Sequence, residues 1–76
     1  MTLTARTATQ IIADAAILYG VSESDIVGPR RFKRIVEARW AVMASLDHMG
    51  WTTTRIGKRL NRDHTTILHG LGRLRS

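Results

Sequence analysis

Residues 52–74 read TTTRIGKRLNRDHTTILHGLGRL, and this stretch decides the fold. Ile56 and Leu60 recur at the spacing of one helical face. Thr52 or Thr53 offers the hydroxyl that pairs with the free amides of a helix start. Asn61 suits a left-handed turn residue, and Asp63 places a carboxylate where the positive end of a second helix favours one. That second helix is expected to continue to about residue 74. On a wheel of about 100° per residue, Ile67, Leu68, Leu71 and Leu74 gather on one side. Arg62, Thr65, Thr66, His69 and Arg73 fall opposite them. Two short helices joined by a tight turn have the outline of a helix-turn-helix.

Upstream, residues 7–19 (TATQIIADAAILY) place Ile11, Ile12, Ala15, Leu18 and Tyr19 on one side at helical spacing, and Gly20 stops the helix. Ser22 is positioned to cap a short turn of helix. Gly28-Pro29 then breaks the chain. Arg30, Arg31, Lys33 and Arg34 put four charges into five residues, and their mutual repulsion argues for an exposed basic loop over about 29–35. The next helix is expected over about 36–49, with Val42, Met43, Leu46 and Met49 facing inward and Gly50 ending it. The expectation is a single all-α domain over 1–76, a small helical bundle whose helix-turn-helix spans about 52–74 and follows a basic loop.

Seventy-six residues support one thin core, so each helix must commit an apolar face to it. The chain is 43% hydrophobic, which excludes a disordered tail, and its apolar runs are too short to cross a bilayer. Without cysteine there is no disulfide framework or thiolate metal site. These features point to the cytoplasm, and the charge points to the nucleoid. Twelve Lys and Arg stand against six acids, for a net charge of +6. The charge is polarised along the chain: residues 1–29 carry −2 and residues 30–76 carry +8. Such polarity is the footprint of a phosphate-binding surface, although a solvated basic surface explains charge alone equally well.

The outward face of the last helix sharpens the choice. It offers two guanidinium groups, two hydroxyls and an imidazole, with no carboxylate among them. Arg can fork onto guanine, Thr can hydrogen-bond a base or lay its methyl on thymine, and all of them reach phosphate. Gly70 and Gly72 are costly inside a helix, at roughly 1 kcal/mol each against Ala, and suit close approach to a neighbouring helix or to DNA.

Residues 62–69 (RDHTTILH) closely resemble the signature of the C-terminal DNA-binding domain of the bacterial replication initiator DnaA. Val21-Ser22 through Asp25-Ile26, Arg30-Arg31, Arg39 and Ile56-Gly57 match in the same order, so the resemblance runs from about residue 11 to 74. It implies that Asp63, His64, Thr65 and Thr66 enter a major groove. It further implies that Arg30 or Arg31, with Arg31 preferred, enters the adjacent minor groove, and that Arg39 contacts the DNA. The wheel alone turns His64 toward the apolar side. The implied partner is double-stranded DNA carrying a short A·T-rich box, with other replication or regulatory proteins as further candidates. Three departures bear on the exact box: Ala38 stands where the family has Pro, Trp40 where it has Gln, and Asn61 in a turn one residue shorter than usual.

Other chemistries find little support. A phosphate-cradling loop of the G-x-x-x-x-G-K-[ST] type fails at Gly57-Lys58, because Arg59 follows and Thr52 holds the leading position. His64 and His69 lie roughly 140° apart on a helix and do not readily share a metal ion. The scattered acids form no catalytic pair. The reading is therefore a cofactor-free, metal-free, non-enzymatic DNA binder. The competing possibilities are a protein-interaction module using Trp51 or Ile26-Val27, and a charge-driven binder of RNA or anionic membrane. For Trp40 and Trp51, packing between helices outweighs stacking on bases.

Overall fold

The computed structural model describes residues 6–75, with side chains described for residues 6–72. It contains α1 (Ala8–Tyr19), α2 (Glu23–Val27), α3 (Lys33–His48), α4 (Thr53–Leu60) and α5 (His64–Arg75), with no strand among the described residues. This is the all-α bundle with a helix-turn-helix that the sequence implies.

Local chemistry sets the helix ends. Thr7 Oγ1 accepts from the Gln10 amide at 3.2 Å while the Gln10 side chain accepts from the Thr7 amide at 2.9 Å, a reciprocal cap on α1. Gly20 closes α1 in the left-handed conformation, φ 67°. Ser22 caps α2 and Thr52 caps α4, each through its hydroxyl. Asn61 adopts φ 55° and makes the turn between α4 and α5, as its residue type suggests.

The central helix is α3, against which α1, α2, α4 and α5 all pack. Ile12, Ile26, Val42, Met43, Leu46, Ile56, Leu60 and Ile67 are fully buried there. Each such side chain contributes about 1.5–3 kcal/mol of transfer free energy, so these residues supply most of the drive to fold. Trp40 and Trp51 are half-buried against the cluster. The Arg55 guanidinium covers the Trp51 ring at 3.6 Å from its centroid. Gly70 lets α5 approach α3 closely, since a Cβ there would stand 2.9 Å from the Met43 methyl. At Gly72 the space is open.

Four expectations need correction. First, α3 begins at Lys33 rather than near 36, so Lys33 and Arg34 are helical. Burial of Ile35 and Ala38 on the first turns outweighs the repulsion among exposed cations, which water screens. Second, Leu18 is 78% exposed, and α1 turns Ala8 and Ala16 inward instead. Third, Met49 is 42% exposed, because α3 ends at His48 and the chain turns away. Fourth, Leu68 is 53% exposed, because α5 touches its neighbours along the narrow stripe of Ile67, Gly70 and Leu71. A wheel gives the direction of a side chain but not the width of the partner surface. The Leu74 side chain lies outside the described residues.

Candidate nucleic-acid interface

The basic loop and the start of α5 are brought together by the main chain of residues 25–30. Arg39 reaches out from α3 and donates through Nε to the Ile26 carbonyl at 2.7 Å. Its Nη2 donates to the carbonyls of Asp25, Gly28 and Arg30 at 3.0–3.1 Å. From the other side, Arg62 in the turn before α5 donates to the Gly28 carbonyl as well, and to those of Leu60 and Asn61. The Asn61 amide donates to the Val27 carbonyl at 3.2 Å. The α4–α5 turn and the loop are thus tied to the same few peptide groups.

Arg39 is therefore not the exposed side chain expected of a DNA contact. It is only 6% exposed, and its known donors are committed to carbonyls. A signal for this was present in the spacing. Ile35, Arg39, Val42, Met43 and Leu46 fall on one helical stripe, and every other member of that stripe is apolar and buried. Burial, followed by the neighbouring charges of Arg62 and then Arg31, brings the Arg39 pKa down to about 10. Burial and then Arg31 lower that of Arg62 as well. The charge of Arg31 thus bears on both Arg39 and Arg62, and that of Arg62 on Arg39.

These residues line an open groove of about 560 Å³ between the loop and α5. Arg31, Arg39 and Arg62 share it with Thr66 and His69, and Trp40 and Pro29 complete the wall. Among the described residues no carboxylate lines it. Arg31, Lys33 and Arg34 are exposed, and so are Thr65, Thr66 and His69 on α5. Arg30 is exposed with its guanidinium over the Phe32 ring. Arg34 turns away from the groove, its Nη1 reaching back to Gly20 at the end of α1. Arg73 stands on α5, and its side chain lies outside the described residues.

Asp63 serves as the cap of α5. Its Oδ1 accepts from the Thr65 amide at 2.8 Å, and its pKa is lowered, first by that bond, then by the Thr65 side chain and more weakly by His64. His64 is exposed, with Nδ1 3.3 Å from Asp63 Oδ1. The wheel's inward placement of His64 is thus corrected, since the first turn of α5 projects beyond the core. Among the described residues no group of three or more His, Cys, Asp or Glu gathers to hold a metal ion. No described helix is long and apolar enough to cross a membrane.

The residues offered as an apolar docking surface are not one. Ile26 is fully buried, Val27 half-buried, and Trp51 is packed under Arg55.

A bundle that presents the second helix of a helix-turn-helix beside a cationic groove defines a DNA-binding domain. The family model of the bacterial dnaA protein helix-turn-helix matches residues 8–73. The chain belongs to that family. Over 58 residues, 74% of the chain, it is 41% identical to the chromosomal replication initiator protein DnaA of Thermomicrobium roseum. Over the same length it is 34% identical to the proteins of that name from Ruegeria sp. (strain TM1040) and Ruegeria pomeroyi. The matched region spans 12% of the length of each of these relatives. No solved structure matches.

Proposed function

We propose that this chain is a sequence-specific binder of double-stranded DNA that recognises a short A·T-rich box resembling those of the replication initiator. In this reading it acts without ATP hydrolysis, as a regulator of replication or transcription that competes with a full initiator for its boxes. One observation carries the proposal: the acid-free groove in which Arg31, Arg39 and Arg62 meet the exposed Thr66 and His69 of α5.

Asp63, His64, Thr65 and Thr66 enter the major groove, where each base pair presents a distinct pattern of donors and acceptors. Arg31 enters the neighbouring minor groove, whose negative potential is strongest over A·T tracts. Arg30, Lys33, Arg62, His69 and Arg73 engage phosphates, and Arg34, turned toward α1, adds only to the general positive charge. Arg39 adds charge to the groove while its hydrogen bonds hold the loop in place. Catalysis is no part of this role.

A gel-shift comparison of box-containing and scrambled duplexes at physiological salt tests the reading. Preference for the box is expected. Equal affinity for both would reduce the interface to salt-sensitive, indiscriminate phosphate binding.

A further inference from the structure

Phe32 sits where local rules favour another residue. It is the N-cap of α3, with φ −62° and ψ 147°, and makes no side-chain cap bond. Ser, Thr, Asp or Asn at such a position stabilises a helix relative to an apolar residue, by accepting from a free amide of the first turn. The ring gains little burial in exchange. It is 67% exposed and stands apart from the core cluster that takes in Tyr19, Val21, Val27, Trp40 and Trp51. Exposed cations flank it on both sides, Arg30 and Arg31 before and Lys33 and Arg34 after. The Arg30 guanidinium lies over its ring at 5.9 Å from the centroid. An apolar ring offered to water in the middle of a phosphate-attracting loop matches the chemistry of a nucleic-acid wedge, in which cations hold the backbone and an apolar side chain enters between bases.

We propose that Phe32 is such a wedge: on binding, its ring presses into a base-pair step of the minor groove beside Arg31, partly unstacks that step and bends the duplex. This inference rests on the duplex-binding reading and adds a deformation to it. On an extended backbone neighbouring side chains diverge, and here Arg31 lines the groove while the exposed Phe32 does not. The fixed start of α3 behind it, and the Arg39 bond to the Arg30 carbonyl just ahead of it, give the ring a firm base. A pyrimidine–purine step, the most easily unstacked, is the preferred site, so part of the sequence preference arises where no hydrogen bond reads a base.

The test uses the full chain and duplexes selected by the wild-type protein from a random-sequence pool. Affinity is read by fluorescence anisotropy and bending by energy transfer between dyes on the two duplex ends. Wild type is expected to bend the selected duplex by roughly 20–90°. Phe32→Ala and Phe32→Ser are expected to bind roughly tenfold more weakly and to leave the duplex nearly straight. Phe32→Leu, which keeps an apolar wedge, retains most of both. Thermal melts show Phe32→Ala as stable as wild type and Phe32→Ser at least as stable, since Ser supplies the missing cap. Wild-type affinity and bending in Phe32→Ala overturns the wedge, as does an unbent wild-type complex or a Phe32→Leu protein as impaired as Phe32→Ala. Failure to select any duplex removes the duplex-binding reading itself, an outcome distinct from the loss of the wedge alone.

Discussion

Arg39 and Arg62 donate hydrogen bonds to the same acceptor, the main-chain carbonyl oxygen of Gly28. One guanidinium comes from the central helix and the other from the turn that launches α5. The basic loop is therefore fixed relative to both the scaffold and α5, so the cations of the loop and the polar side chains of α5 hold a set spacing before any partner arrives. Such preorganisation reduces the ordering cost of binding.

Removing Arg39 should cost stability before it costs affinity. Arg39→Ala strands buried carbonyls at Ile26 and its neighbours and is expected to destabilise the domain by about 2–4 kcal/mol. Arg39→Lys keeps the charge but lacks the forked geometry, so it should recover only part of the loss. Urea unfolding measures both, and a wild-type midpoint for Arg39→Ala would show that the carbonyl bonds contribute little.

Arg31→Ala should behave in the opposite way. The side chain is exposed at the groove, so the melting temperature is expected to stay at the wild-type value. Duplex affinity should fall, and the slope of log affinity against log salt should shrink by about 1 if the guanidinium meets a phosphate. A loss confined to A·T-rich duplexes instead assigns it to the minor groove. Unchanged affinity on every duplex contradicts both roles.

Two glycines of the helix-turn-helix, Gly57 within α4 and Gly72 in α5, should respond with opposite signs. A Cβ at Gly57 would lie 2.5 Å from the Arg62 carbonyl oxygen, and backbone has little freedom to yield, so Gly57→Ala should destabilise by at least ~2 kcal/mol. Nothing obstructs a Cβ at Gly72, so Gly72→Ala should stabilise α5 by roughly 0.5–1 kcal/mol. Paired thermal melts check the two signs.

Acid should weaken the start of α5. The Asp63 carboxylate caps the Thr65 amide, and its pKa lies below the ordinary 3.8. A carboxylate with a depressed folded-state pKa contributes stability that is present above the unfolded value and lost as pH falls through the folded one. Melting temperature measured from pH 6 down to pH 2 should therefore drop more steeply below about pH 4 for wild type than for Asp63→Asn, which has no charge to lose. Parallel curves would mean that the cap bond does not depend on ionisation.

The helix-turn-helix was legible because its determinants are local. Thr52 and Asp63 act on peptide groups within three residues, Asn61 turns the chain through its own φ of 55°, and Ile56, Leu60 and Ile67 need only a periodic spacing to be assigned inward. Leu18, Met49 and Leu68 were misplaced because their burial depends on how far a partner helix extends. Arg39 was misread for a different reason. Its acceptors are backbone carbonyls, which leave no trace in residue identity, and only its place in an apolar stripe hinted at burial. Phe32 went unassigned because a lone aromatic between cations carries no periodic signal. Its oddity emerges only once α3 is seen to begin directly behind it.

The partners that hold the buried Arg39 guanidinium are neutral. Had an aspartate filled that position, the loop would be anchored just as firmly, but a unit of positive potential would vanish from the mouth of the cleft. Peptide dipoles solvate the cation without cancelling it. The molecule thereby obtains from one side chain both a structural clamp and a source of positive potential at the groove, which salt screens within about 10 Å.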